Sequence, residues 1–265
     1  MRVHHLNCGT LCTAAPAWLR GGRWLVCHCL LIEAEDGLVM VESGLSTADV
    51  HDASRRLGRS FLTWVRPVLD ERETMLRQVE QLGFTAADVR HVVLTHLDLD
   101  HAGGITDFPR AKIHVMAQEH EAATLRRGLR ERWRYRKAHL AHQPDFELYR
   151  TQGERWNGFE AVTALRGLPP EILLVPLFGH TRGHAGVALR SDQGWLLHAG
   201  DAYIHHREME GGHAPRLIGL FEGANGMDRE ACLRNRDRLA ALARAGEVRV
   251  FCAHDAEELK RLQAG

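Results

Sequence analysis

The sequence predicts a layered α/β or α+β protein with a large apolar core. Short apolar runs, bounded by glycine, proline or charged residues, recur along the chain and alternate with segments of helical periodicity. The chain has 265 residues, 45% of them hydrophobic, and can therefore bury most of its apolar surface. Because 34 basic residues balance 34 acidic ones, the composition argues against a disordered chain and against a nucleic-acid-binding protein that relies on charge.

Apolar runs of strand length make up the predicted sheet. Each run is short and ends at a residue that favours a turn, which is typical of buried strands. The strands are expected at residues 24–33, 38–42, 89–95, 112–116, 172–177, 186–190, 195–199 and 248–253.

Helical periodicity marks several of the segments between these strands. Residues 73–82 place Met75 and Val79 on one side and stop before Gly83, a common helix end. A capping-box pattern at residues 85–88 predicts a single helical turn. The last periodic segment covers residues 229–245 and is followed by a glycine.

The region from about residue 118 to 160 is expected to form a helical lid inserted into a single domain that spans residues 1–265. Its first part, residues 118–139, has an apolar stripe and a cluster of basic residues between Arg126 and Lys137. Two interpretations of this cluster stay open: a solvated arginine face of an amphipathic lid, and a binding site for an anionic substrate or a phosphate group.

Membrane and export signals are missing from the sequence pattern. No apolar run reaches the roughly 18 to 20 residues that span a bilayer, and residues 1–22 contain no signal-like apolar segment. We therefore expect a cytoplasmic protein without membrane contact. The cysteines form no C-x-x-C pair and are expected to be free thiols.

The chain is rich in histidine, and its most informative segment places four metal-binding side chains within six residues. The predicted strand at 89–95 leads into His96, Asp98, Asp100 and His101, and two glycines follow at 103 and 104. Carboxylates in close contact repel each other, so one of them would have to take up a proton unless a cation lay between them. A metal ion removes this conflict.

Further potential ligands follow other predicted strands. Gly-His-Thr-Arg-Gly-His ends at His184, a Gly-Asp pair ends at Asp201, and Ala-His-Asp contains His254. Side chains at strand ends are held on a rigid scaffold, which suits a site of defined geometry.

In this order, the motifs H-L-D-L-D-H, G-H-T-R-G-H, G-D and A-H-D resemble those of the metallo-β-lactamase fold superfamily. The resemblance covers almost the whole chain and implies an α+β fold, a four-layer αββα sandwich with a dinuclear metal site at one edge. It also implies that His96, Asp98 and His184 hold one metal ion, that Asp100, His101 and His254 hold the other, and that Asp201 bridges them.

Three positions need separate comment. Asp98 stands where the motif usually has histidine, so it is either a ligand or a group that orients its neighbours. His180 is interpreted as a residue that structures its loop, and Glu42 stands where an aspartate is common and is expected to brace the metal loops. Two divalent ions are expected, zinc first, while the extra oxygen ligand of Asp98 makes iron or manganese more competitive with zinc.

A dinuclear site suits hydrolysis, and Asp100 is expected to accept or relay the proton of the attacking water.

The motifs are most similar to those of the lactone-opening enzymes, including N-acyl-homoserine lactonases and 4-pyridoxolactonase. In that group a tyrosine three residues past the bridging aspartate assists at the substrate, and Tyr203, two residues past Asp201, is the candidate here. The alternatives are a thioester hydrolase of the glyoxalase II type, a phosphodiesterase and, in another class, a diiron redox protein.

The expected partner is a small-molecule substrate rather than nucleic acid. Residues 60–68 include Phe61, Trp64 and Val65, and two interpretations of this segment stay open. It forms either the contact of a homodimer or a pocket for an acyl chain.

Overall fold

The computed structural model describes residues 1–13 and 24–264. Within these residues, the strands form two six-stranded sheets, and in each sheet the strands lie side by side in chain order. The first sheet contains β1 (Arg2–Leu11), β2 (Leu25–Ala34), β3 (Gly37–Val41), β4 (Val89–Val93), β5 (Lys112–Met116) and β6 (Asp145–Tyr149). The second contains β7 (Glu154–Trp156), β8 (Phe159–Ala164), β9 (Ile172–Pro176), β10 (Ala185–Ser191), β11 (Gly194–His198) and β12 (Val248–Phe251).

Helices occupy most of the connections. They are α1 (Thr47–His51), α2 (Ala53–Arg56), α3 (Arg59–Trp64), α4 (Met75–Gln81), α5 (Leu99–Ala102), α6 (Ala117–Leu125), α7 (Leu129–Arg134), α8 (Lys137–Leu140), α9 (Arg216–Asn225), α10 (Arg229–Ala245) and α11 (Ala256–Gln263). Shorter 3₁₀ turns lie at Glu71–Glu73, Ala86–Asp88, Gly103–Asp107 and His206–Glu208.

The core has three apolar layers, which explains why the strands read as continuous apolar runs. Leu30 of β2 faces the second sheet and packs with Val187, whereas its neighbour Leu31 points to the other side and joins the cluster under α4. Leu239 of α10 covers the outer face of the second sheet. Strand residues alternate between faces, so a strand covered on both sides is apolar throughout. The predicted α+β, αββα architecture is confirmed.

The region expected to be a helical lid is helical only to Leu140. The predicted helix at 118–139 is divided into α6, α7 and α8, because Arg126 ends α6 in a left-handed conformation (φ 46°). Residues beyond α8 form β6, β7 and β8, which extend the two sheets. The helical segment α6–α8, called the lid below, is therefore shorter than the predicted insertion, and the second half of that insertion is part of the sandwich.

Two other expectations concern the surface of the protein. No helix within residues 1–13 and 24–264 is long and apolar enough to cross a bilayer. The cysteines are free thiols, and most of them are buried, as expected. The segment at 1–22 that lacks a signal-like run lies partly outside the described residues, which omit 14–23.

Candidate metal centre

Seven histidine and aspartate side chains meet at one edge of the sandwich, where strands of both sheets end. Those of the first sheet follow β4, from which a short loop leads into α5. Those of the second sheet follow β9, β11 and β12. The side chains are His96, Asp98, Asp100, His101, His180, Asp201 and His254.

These side chains form two donor groups that share Asp201. In the first donor group, His96 Nε2 lies 3.2 Å from Asp98 Oδ2 and 4.0 Å from Asp201 Oδ2. His180 Nε2 lies 3.2 Å from Asp98 Oδ2 and 3.4 Å from Asp201 Oδ2. Four donor atoms therefore face one small volume.

The second donor group uses the other oxygen of the shared carboxylate. Asp201 Oδ1 lies 3.4 Å from His101 Nε2 and 3.1 Å from His254 Nε2. Asp100 completes the group, with its oxygens 3.9 Å from His101 Nε2 and 3.8 Å from His254 Nε2. Asp201 is thus placed between the two groups with one oxygen directed at each.

The donor atoms fit a metal ion because several of them are buried and have no hydrogen-bond partner among the described residues. His96 Nε2, His101 Nε2, Asp98 Oδ1 and Asp201 Oδ1 are all in this state. Buried polar atoms are normally paired, and an unpaired one is costly. Imidazole nitrogens and carboxylate oxygens together suit zinc, iron and manganese, so the residues present fit divalent cations.

The protonation equilibria of the site also reflect its excess of carboxylates. Burial favours a neutral imidazole at His101, yet the facing Asp201, Glu42 and Asp100 raise its pKa well above the usual value. Burial and the neighbouring His101 lower the pKa of His96 to about 3, so this ring is neutral and its lone pair is available. The carboxylates of the centre thus favour the binding of positive charge, whether a proton on His101 or a cation.

Hydrogen bonds to the far side of each ring fix which nitrogen faces the centre. His101 Nδ1 donates to Glu42 Oε2, and His254 Nδ1 donates to the carbonyl of Val26 at 2.7 Å. The other oxygen of Glu42 accepts from the backbone N–H of Thr95 at 2.6 Å. Glu42 therefore braces the segment that carries His96 to His101, and it does so from a backbone conformation with φ 64°. Such outer contacts orient metal-binding histidines.

A cavity of about 420 Å³ opens onto the centre. Its floor includes Asp98, Asp100, Asp201 and His254, and its walls are mainly apolar. The residues of the wall include Leu11, Leu25, Phe61, Trp64, Val65, Leu99, Trp133, Ile204 and Ile218. Of the two interpretations of residues 60–68, the pocket is the one that this arrangement supports.

The comparisons with known proteins identify the family. The model of the metallo-beta-lactamase superfamily matches residues 22–245. The chain belongs to this superfamily. A probable metallo-hydrolase of Mycobacterium tuberculosis is 41% identical over 258 residues, which cover 96% of this chain and 80% of that protein.

More distant relatives have a named activity. An N-acyl homoserine lactonase of Bacillus cereus is 25% identical over 235 residues, which cover 88% of this chain and 82% of that protein. A solved N-acyl homoserine lactone hydrolase, with N-hexanoyl-L-homoserine bound at its catalytic metal centre, has a TM-score of 0.73 at 20% identity. That alignment covers 98% of this chain and 95% of the other, and it supports the metallo-beta-lactamase fold.

The contacts of the two histidines in the G-H-T-R-G-H motif differ from those that the resemblance implies. His184 Nδ1 donates to the carbonyl of Leu177 at 3.0 Å, and its Nε2 accepts from the backbone N–H of Asp201 at 2.9 Å. Both ring nitrogens are thus occupied by backbone groups, and burial lowers the pKa of His184 well below its usual value. His180, which was interpreted as a loop residue, instead reaches the first donor group.

The structure is also at odds with the catalytic role expected for Tyr203. This side chain is 1% exposed and lies in the core beneath α10, outside the residues that line the cavity. Its hydroxyl group donates to Glu258 Oε1 at 2.9 Å. The chain after Asp201 directs the tyrosine into the core rather than into the cavity.

Glu119 is a positioning residue that the sequence reasoning missed. It is fully buried at the start of α6, where one oxygen accepts from the N–H of Leu97 at 3.0 Å and from the hydroxyl of Tyr135 at 3.0 Å. The other accepts from Thr181 Oγ1 at 2.6 Å and from the N–H of Gly183 at 3.0 Å. Glu119 thereby ties the loop of Asp98 to the loop of His180 and to the lid. A lone glutamate in a helix gives no sequence signal for such a role.

Arg134, at the end of α7, brings a positive charge into the centre. Its Nη1 donates to Asp98 Oδ2 and lies 2.9 Å from His180 Nε2. Its Nη2 donates to the backbone oxygen of Asn225 at 2.6 Å and to Oδ1 of the same residue at 2.9 Å. The side chain is 4% exposed, so one arginine of the basic cluster belongs to the site, while most of the others are exposed.

Proposed function

We propose that the chain is a metal-dependent hydrolase that opens a lactone or cleaves a related ester carrying an apolar chain. The observation that carries this proposal is the cavity, whose apolar walls lead to a floor of metal-binding carboxylates and histidine. Apolar walls with few convergent polar groups are typical of small-molecule sites. The lactonase activity named for the relatives at about 25% identity supports the same substrate class.

The proposal assigns two divalent ions, zinc first, to the two donor groups. His96, Asp98, His180 and Asp201 would hold one ion, and Asp100, His101, His254 and Asp201 the other. When bound, the ions would polarise the carbonyl group of the substrate and make a water molecule more acidic. This assignment keeps six of the seven ligands expected from the sequence and replaces His184 by His180.

Asp100 is proposed to accept the proton of the attacking water. It faces the cavity, and its side chain is 15% exposed, more than the other two carboxylates of the centre. A base must reach the reacting atoms, and Asp100 lies on the side of the centre that a substrate enters. The apolar walls would hold the acyl chain and exclude bulk water from the reacting carbonyl group.

A substrate panel tests the proposal. Purified protein loaded with zinc would be assayed with homoserine lactones of short and long acyl chains, with an aryl ester, with a glutathione thioester and with a phosphodiester. We expect the long-chain lactone to have the highest kcat/KM, and a chelator to abolish its turnover. Turnover confined to the thioester or to the phosphodiester would replace the lactone assignment, and turnover that survives complete metal removal would overturn the metal-dependent function.

Variants separate chemistry from folding in this assay. Asp100→Asn should lower kcat at least a hundredfold, since general-base contributions are typically 10² to 10⁴. Asp192→Asn is the matched control, because the side chain of Asp192 is 78% exposed and pairs with the amino terminus, away from the centre. If both variants kept full activity, Asp100 would not be the base.

A further inference from the structure

We propose that Arg134 is a built-in competitor of the metal ion at the first donor group, so that the two ions bind in sequence, the ion at the second donor group first. The inference rests on the metal-dependent function proposed above, and it concerns how the centre is loaded. Arg134 would act as a positioning residue whose positive charge is part of the centre.

The geometry directs the guanidinium group at the atoms that a cation needs. Arg134 Nη1 contacts Asp98 Oδ2 and lies 2.9 Å from His180 Nε2. A neutral imidazole nitrogen has one lone pair, which it cannot give both to an N–H group and to a metal ion. A cation bound to His180 must therefore displace Arg134 from this nitrogen. Asp98 keeps a second oxygen, Oδ1, for which the described part of the chain offers no hydrogen-bond partner.

The arginine is anchored in this position by groups outside the centre. Its Nη2 makes two hydrogen bonds to Asn225, which ends α9, and its own helix α7 lies in the lid. Because the guanidinium group is buried and always charged, it needs a carboxylate partner, and Asp98 supplies it. Burial alone would raise the pKa of Asp98, but Arg134 and His96 hold it well below its usual value.

The second donor group has a different environment. Among the described residues, the ion pairs of Asp100, His101 and His254 are made only with members of the centre and with Glu42. A cation approaching this group meets carboxylates and no competing guanidinium group. The two groups are therefore unequal although they contain the same kinds of ligand and share Asp201.

Asp98, which stands where the metal motif usually has histidine, accounts for the ion pair with Arg134. A histidine in place of Asp98 would have no negative charge with which to hold a buried guanidinium group. Asp98 and Arg134 therefore form an ion pair. This pair makes the first donor group less negative than its two carboxylates alone would make it. The affinity of this group for a cation should fall accordingly.

Zinc titration of the full chain tests the inference. Protein stripped with a chelator would be titrated against a chromophoric zinc chelator, without substrate. We expect two steps whose Kd values differ at least tenfold, and His180→Ala should remove only the weaker step. Arg134→Gln should tighten the weaker step at least tenfold and leave the stronger step unchanged. Arg132→Gln, on the exposed side of the same helix, is the matched control and should change neither step.

Several outcomes would overturn the inference. Equal Kd values for the two ions in the natural protein would do so, as would an Arg134→Gln variant that folds, by circular dichroism, and binds the second ion no more tightly. If that variant fails to fold, the natural protein and His180→Ala still decide the question. Two equal ions in a protein that opens lactones would refute only the inference, and stepwise binding without hydrolysis of any substrate would refute only the proposed function.

Discussion

The different contacts of His180 and His184 predict opposite effects on stability and on metal binding when each residue is replaced by alanine. In His184→Ala, the backbone N–H of Asp201 and the carbonyl of Leu177 lose their buried partner. Each buried group left unsatisfied costs about 1 to 3 kcal/mol, so the variant should lose about 2 to 6 kcal/mol of unfolding free energy. This loss should be present in the metal-free protein, because it does not involve a ligand.

His180→Ala should behave in the opposite way. The Nε2 atom of His180 faces Asp98, Asp201 and Arg134, and each of these keeps other contacts. Its removal should cost the metal-free protein only about 1 kcal/mol, as for a typical hydrogen bond. The variant should nevertheless lose one of the two zinc ions.

Urea unfolding, followed by circular dichroism in the presence of a chelator, measures the unfolding free energy of each metal-free variant. Elemental analysis after gel filtration measures the zinc content of each variant. The reasoning would be refuted if His184→Ala unfolded like the natural protein while its zinc content fell, and if His180→Ala retained both ions. An equal loss of unfolding free energy in the two metal-free variants would also contradict the reasoning.

The remaining predictions concern the supports of the centre and the cavity. Glu42→Gln should weaken zinc binding about 10- to 100-fold, as typical for such supports, with little change in fold by circular dichroism; unchanged affinity would argue against its bracing role. Asp49→Asn should cost about 3 to 5 kcal/mol in urea unfolding at neutral pH, because buried Asp49 pairs with Arg56 and His139. Burial alone would raise the pKa of Asp49, but His139, Ser46 and Arg56 hold it below its usual value. The stability that ionised Asp49 contributes is therefore present above about pH 4 and is lost as the pH falls further. An acid-unfolding curve that the variant shares with the natural protein would contradict this. Trp133→Ala should raise KM for long-chain substrates more than for short-chain ones, whereas Trp195→Ala, which packs on Trp156 away from the cavity, should not.

The strands of the core could be predicted because each is apolar along its whole length. The segment 112–116 and helix α10 match their predicted bounds, and the others differ by a few residues at their ends. Strand β1 was missed because it contains His4, His5 and Asn7, polar residues that a partly buried edge strand tolerates. Strands β6 to β8 fall in the region that was assigned to a helical lid.

The candidate site was predictable where its residues are close in the chain and less so where contacts are long-range. His96, Asp98, Asp100 and His101 fall in one strand-to-helix connection, so their spacing is enough to bring them together. The choice between His180 and His184 depends on which backbone groups each ring meets, and Asp201 and Leu177 supply those groups from other loops. Arg134 and Glu119 enter the site from the lid, and no local pattern relates either residue to the metal motif.

The central claim is that seven side chains surround two cations at this edge of the sandwich. Anomalous diffraction at the zinc edge, from crystals grown with excess zinc, tests it most directly. We predict two peaks, one within bonding distance of His96, Asp98, His180 and Asp201, and one within bonding distance of Asp100, His101, His254 and Asp201. A map without a peak at this position, or with an ion bound by His184, would contradict the account.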